Sequence, residues 1–268
     1  MSIRAVQTGK AFLTGQIKQK RGDNVKERVM GMVLSAATIG EYDKRIVLLT
    51  RERGRISAFA RGARRPRSPL SASTEPFNFG EFYIYHGRDS YSVEQVEVKN
   101  FFPELRKDLD DLYMALYFCE VADYFTREGM DATAELNLLY LSLRALTVPS
   151  LPDKLVRYIY EFRMLSIEGE APRIFECMRC GGTDGLHHFF VRESGIVCEG
   201  CYPELSSLDR QIGITLSETT VYTLQRILSS PVEKLYTFTV GDNILAELEQ
   251  VVGRYFKAHT DREFKALI

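Results

Sequence analysis

The sequence predicts an α+β chain: a small closed β-barrel first, then a helical domain with a four-cysteine hairpin inserted in it. Three observations carry this. Apolar residues recur at every second position as far as residue 98, at three- and four-residue spacings beyond Pro103, and two Cys-x-x-Cys pairs interrupt the helical part. The expected organisation is a basic N-terminal extension at 1–28, a barrel domain at 29–101, a helical domain at 102–268 and a metal module at 177–201 within it.

The β-type runs are VMGMVLSAATI (29–39), RIVLLT (45–50), RISAFARG (55–62), GEFYIYH (80–86) and SYSVEQVEV (90–98), with Gly or Asp between them. Arg53-Gly54 and Gly87-Arg88-Asp89 fit hairpin connections. So many short strands close together suit a closed barrel, because closure removes exposed edges. The period then changes. Pro103 suits a first helical residue, and 104–129 places Leu105, Leu109, Leu112, Tyr113, Leu116, Tyr117, Val121 and Tyr124 on one apolar face. Further helices are expected at 134–146, 154–169, 217–230 and 244–259. Thr215 with Glu218 would form a capping box for 217–230, and Asn243 would cap 244–259.

Cys177, Cys180, Cys198 and Cys201 form two pairs, each with two residues inside it and 17 between the pairs. Each pair supplies one edge of a tetrahedron, which points to zinc. A redox role would need only one pair, and in a reducing compartment this spacing marks metal ligands rather than disulfides. Four thiolates fill the tetrahedral shell, so Zn2+ here is expected to be structural, whereas catalytic zinc keeps a position open. Gly181 lets backbone amides turn toward sulfur, and the hairpin is expected to turn at Glu193-Ser194-Gly195. His187 and His188 are the alternative ligands, less suited because neighbouring hairpin residues face opposite ways. Residues 177–201 hold only Arg179 and Arg192 against Asp184, Glu193 and Glu199, too few cations for a nucleic-acid reader.

The net charge of −1 conceals an asymmetry: residues 1–67 carry 16 Lys/Arg against 5 Asp/Glu, and residues 68–268 carry 19 against 31. The basic part is therefore expected to meet an anionic partner such as nucleic acid. Its densest run, RERGRISAFARGARRPRSPL, sets Arg51, Arg53, Arg55, Arg61, Arg64, Arg65 and Arg67 against the single acid Glu52. Arginine forks match phosphate oxygens. The alternatives are pairing with the acidic helix at 104–123, or solubility. If about five of them neutralise single-strand phosphates, log affinity should fall against log salt with a slope near −3.5. Phe59 is assigned to the barrel core in preference to a stacking role.

Several chemistries find no support. There is no Gly-x-x-x-x-Gly-Lys-Ser/Thr loop, Gly-x-Gly-x-x-Gly, His-Glu-x-x-His or Gly-x-Ser-x-Gly. Asp108, Asp110 and Asp111 suit the first turn of a helix better than a magnesium site, and Cys119 reads as a small buried hydrophobe. No run of 18 apolar residues and no secretory signal is visible, so a cytoplasmic protein without membrane contact is expected.

GMVLSAATIGEYDKRIVLLTRERGRISAFARGARRPRSPL, FFPELRKDLDDLYMALYFCE, YEFRMLSIEGEAPRIFECMRCGG and ESGIVCEGC, taken in order over residues 30–268, resemble the bacterial RecO family of recombination mediators. The first 28 residues stand outside that resemblance. It implies an OB-fold barrel, a helical domain and a zinc module ligated by Cys177, Cys180, Cys198 and Cys201. It also implies a non-enzymatic role in DNA repair and recombination: binding single- and double-stranded DNA, annealing complementary strands, and acting with RecR to load RecA onto strands covered by single-strand-binding protein. That role would place the chain at the nucleoid within the cytoplasm. The alternatives are a zinc-containing sequence-specific regulator and a magnesium-dependent nuclease.

Overall fold

A computed structural model describes residues 25–88 and 90–267; the expected N-terminal extension lies outside the described residues as far as 24. Strand β1 (Val25–Ile39) is long enough to pair along both edges. Val25–Met32 runs antiparallel to β4 (Phe79–His86), and Gly31–Ile39 antiparallel to β2 (Asp43–Thr50), with a bulge between Val33 and Ser35 that bends the strand round the barrel. β3 (Gly54–Ala60) pairs with β2, and β5 (Tyr91–Asn100) with β4. The barrel closes in the order β1-β2-β3-β5-β4 through a short parallel seam in which only Ala58 meets Tyr91 and Phe59 meets Ser92. α1 (Leu70–Ser73), between β3 and β4, turns Leu70 into the core. A five-stranded barrel with this connectivity is an OB fold.

Inward side chains Val29, Val33, Ile46, Leu48, Ile56, Phe82, Ile84 and Val93 fill the barrel. The other faces of β1 and β2 are apolar as well: Met32, Leu34 and Leu49 are buried in a second core shared with the helices. The β2–β3 turn is stitched into the segment after the first long helix. The Arg55 amide donates to the Arg127 carbonyl at 3.1 Å, and the Gly129 amide donates to the Arg53 carbonyl at 2.9 Å. Gly54 sits at φ +63 in this join, where a Cβ would lie 2.1 Å from the Arg127 carbonyl oxygen, so no other residue fits.

The helical half comprises α2 (Leu109–Phe125), α3 (Thr133–Leu146), α4 (Asp153–Ile167), the short α5 (Ser207–Ile212), α6 (Glu218–Ser229) and α7 (Asp242–Ala258). Tyr117, Phe118, Leu139, Tyr160, Phe162, Leu224, Val251 and Tyr255 form its centre. Glu161 is fully buried there, accepting from the Tyr117 hydroxyl and from Arg157 Nε. Between α4 and α6 lies a small sheet ordered β6 (Arg173–Cys177), β8 (Gly195–Cys198), β7 (Leu186–Phe190) and β9 (Ile214–Thr215), which buries Phe189 against Tyr255.

Four local expectations change. The helix expected from 104 is a 3-10 turn at Pro103–Arg106 followed by α2, capped by Asp108, whose carboxylate accepts from the amides of Asp110 and Asp111. Leu109 and Tyr113 are not on its buried face; they are 68% and 54% exposed, while Ala115, Phe118, Cys119 and Ala122 face the core. Tyr117 and Val121 of the expected face are buried with them, so the covered face is rotated round the helix from the expected one and shares its edge. Ser217, not Thr215, caps α6, because Thr215 is taken up as a strand partner of His188. Gly241 precedes α7 without any side-chain cap, leaving Asn243 within the first turn.

Candidate nucleic-acid interface and metal centre

Strand β3 divides the basic run into two groups. It is seven residues long, so about 20 Å separates Arg55 near its start, with Arg51 and Arg53 in the turn before it, from Arg61 just past its end. At the first end Arg53 forks onto Glu27, Nε to Oε2 at 2.9 Å and Nη2 to Oε1 at 2.6 Å. Arg55 pairs with Asp123 of α2, which Arg262 also approaches at 3.5 Å. Arg51, exposed in the same turn, accepts at its carbonyl from the Ala132 amide. This end faces the helices, and for Arg55 pairing with the acidic helix is what the structure shows.

Arg61, Arg64, Arg65 and Arg67 occupy the exposed loop after β3. Among the described residues none of the four is ion-paired. The Arg64 amide donates to the Tyr42 carbonyl at 2.9 Å and its guanidinium to the Glu41 carbonyl at 3.0 Å, which ties this loop to the β1–β2 turn. The Arg65 guanidinium lies 5.5 Å over the exposed Tyr42 ring. An arginine committed to a carboxylate leaves that partner bare if it moves to phosphate; these four have no such partner to abandon.

The thiol sulfurs of Cys177, Cys180, Cys198 and Cys201 all lie within 4.8 Å of one another, and Cys180 and Cys198 are 3.8 Å apart. Sulfurs held about 2.3 Å from a central zinc are about 3.8 Å apart along a tetrahedron edge. Backbone amides support the anionic form: Arg179 and Cys198 donate to Cys177 Sγ, and Gly182 donates to Cys180 Sγ. Gly181, at φ +72, makes the turn that aims them. Burial raises the Cys177 thiol, but these donors outweigh it and bring it down to about 6; hydrogen bonds to Cys180 and Cys198 push Cys201 up to about 12. Four convergent sulfurs with amide donors aimed at two of them fit a metal. His187 and His188 are occupied elsewhere, His187 Nδ1 with the Leu216 carbonyl and the His188 ring stacked on Tyr202 at 3.5 Å.

Comparison with known proteins follows the same division. The family described as Recombination protein O N terminal matches residues 25–102, and Recombination protein O C terminal matches 106–268. The chain belongs to the RecO family. It is 32% identical to the DNA repair protein RecO of Acetivibrio thermocellus, covering 90% of this chain and 94% of that one. The DNA repair proteins RecO of Alkaliphilus metalliredigens and Bacillus subtilis are 30% and 29% identical, covering 87% and 88% of this chain and 93% and 90% of theirs.

In this RecO-family chain one assignment from sequence is corrected. Phe59 is not in the barrel core: Ile56, Ala58 and Ala60 point inward, and Arg55, Ser57 and Phe59 alternate outward. Two small alanines leave the inward parity of β3 weakly marked. A second missed feature is Tyr42, whose place beneath Arg65 depends on the fold of two separate turns.

Proposed function

We propose that this chain is a non-enzymatic DNA repair and recombination mediator that binds single- and double-stranded DNA through the loop bearing Arg61, Arg64, Arg65 and Arg67, and anneals complementary strands. The observation that carries this reading is the set of four exposed arginines, unpaired among the described residues, on one edge of an OB barrel. Their charge offsets the repulsion between two phosphate backbones, so annealing needs no nucleotide hydrolysis. Membership of the RecO family supports a further role with RecR in loading RecA onto strands coated by single-strand-binding protein.

Cys177, Cys180, Cys198 and Cys201 would hold one Zn2+, which when bound cross-links the ends of the hairpin; the four thiolates complete its shell. A fluorescence annealing assay with single-strand-binding protein and RecR, each present or absent, tests the reading. Annealing without ATP, with little preference between sequences of equal length, is expected. An absolute ATP requirement, cleavage with magnesium, or strong preference for one sequence would overturn it, the last in favour of a zinc-containing sequence-specific regulator.

A further inference from the structure

We propose that the cleft beside Phe59 is a single-base pocket, taking one unstacked nucleobase of a DNA strand with the adjoining phosphate on Arg45. The proposal rests on the DNA-binding reading above and adds to it a stacking site outside the arginine loop. The cleft, about 480 Å³, lies on the outer barrel wall between β3 and the β4–β5 hairpin, with Arg45, Ser57, Phe59, His86, Tyr91 and Glu128 among its lining.

Four observations converge on it. Phe59 belongs to neither hydrophobic core, is only half-buried and, among the described residues, has no ring partner, so it presents an aromatic surface that folding leaves unused. The neighbouring wall is already ordered: His86 stacks on Tyr91 at 4.3 Å and 12°, and the Tyr91 hydroxyl donates to Glu128 Oε1 at 2.8 Å. Arg45 stands opposite Phe59 in the β2–β3 ladder, exposed and held by a 2.7 Å bond from Nε to Ser57 Oγ, which leaves its terminal nitrogens for phosphate. The parallel seam that closes the barrel runs beneath the cleft, pairing Ala58 with Tyr91 and Phe59 with Ser92, so the Phe59 ring stands on ordered backbone next to the Tyr91 wall.

The geometry also orients the strand. Glu128 bars phosphate from its wall and can accept from an exocyclic amine, which cytosine, adenine and guanine carry at their base edges and thymine lacks. Burial, with the Glu128 hydrogen bond, holds Tyr91 up at about 12, so its hydroxyl stays a donor and keeps the Glu128 carboxylate in place. Arg61 opens the turn two residues beyond Phe59, at most about 7 Å further along the chain, so the next phosphate passes to the arginine loop. A base inside a duplex cannot enter; the pocket therefore separates single from double strands.

The test uses the full chain and fluorescence anisotropy with three probes: a single strand, a strand of the same length built only of abasic sugar-phosphate, and a duplex. Phe59→Ala is expected to weaken single-strand binding about tenfold or more, the loss of one base stack, with abasic and duplex binding, the salt slope and Tm unchanged. Phe59→Tyr should restore it. An Ala variant that binds the single strand as tightly as the wild type, or a wild type that binds normal and abasic strands equally, would overturn the pocket while leaving the phosphate reading intact. A wild type that binds none of the three overturns both. Oligo(dC) should bind modestly more tightly than oligo(dT), a single base contact within otherwise sequence-tolerant binding, and Glu128→Leu should abolish that difference; equal wild-type affinities would remove Glu128 from the pocket.

Discussion

Changing Arg61, Arg64, Arg65 and Arg67 together to Ala is expected to remove most of the salt dependence of single-strand binding without unfolding the chain. Each single-strand phosphate neutralised contributes about −0.7 to the slope of log affinity on log salt. Counting about five of the seven arginines gives a slope near −3.5, but the structure lowers the count. Arg53 and Arg55 are committed to Glu27 and Asp123, and Arg51 lies with them at the helical end of β3. Four remain in the 61–67 loop, contributing about −2.8 to the slope, which is an affinity loss of about 50-fold between roughly 50 and 200 mM salt. Anisotropy titrations across that range measure it. The quadruple variant should bind weakly and keep a slope of only about −0.7, the share of Arg45, while the chain stays folded because the four side chains are exposed. Arg53→Ala and Arg55→Ala should do the reverse, lowering stability while the slope persists. A quadruple variant that keeps the full slope, or an Arg53→Ala variant that loses it, would refute the division of the run by β3.

Three other outcomes are expected. Cys198→Ser should lose bound zinc in metal analysis and lower the denaturant midpoint, metal-linked folding energy being on the order of 10 kcal/mol; full zinc occupancy in the variant would contradict the four-sulfur centre. Glu161→Ala should destabilise by about 3–5 kcal/mol in urea unfolding, because the partly buried Arg157 loses its buried partner, and a loss below ~1 kcal/mol would count against that network. The Glu168 carboxyl is raised to about 7, chiefly by burial and then by Glu135 beside it. Its protonated form is favoured in the folded state, so its stabilising contribution is complete below about 4.5 and is lost as pH rises through about 7. Glu168→Gln should flatten the unfolding free energy over that interval by about 1 kcal/mol after allowance for solvent screening; an unchanged pH profile would sink the assignment.

What the sequence disclosed depended on how far apart the interacting residues lie. The strands and helices were legible because alternation and helical spacing act within a few residues, and the cysteine centre because each Cys-x-x-Cys pair is a local spacing and only 17 residues part the two pairs. The pairing of Arg53 with Glu27 spans 26 residues and that of Arg55 with Asp123 spans 68, so composition alone could not separate these arginines from those with no ion pair among the described residues. The parallel seam that closes the barrel was hidden for the same reason. Within α2 the difficulty was different: Leu109 and Tyr113 continue an apolar period, yet the core lies on the side of Ala115, Cys119 and Ala122. Period locates an apolar face, and Tyr117 and Val121 are buried as it implies, but only the partner decides how far round the helix the covered face extends.

The join at Gly54 has a bearing on how the molecule can be taken apart. A chain cut after residue 102 would expose Met32, Leu34, Leu49 and Phe77, now buried against the helices, and would leave the Arg55 amide without the carbonyl it donates to. The barrel is therefore not an exchangeable cassette. Grafting it onto another scaffold, or isolating it for binding studies, would need those four positions made polar and the turn at Gly54 rebuilt, whereas the arginine loop at its far rim could be transplanted with far less repair.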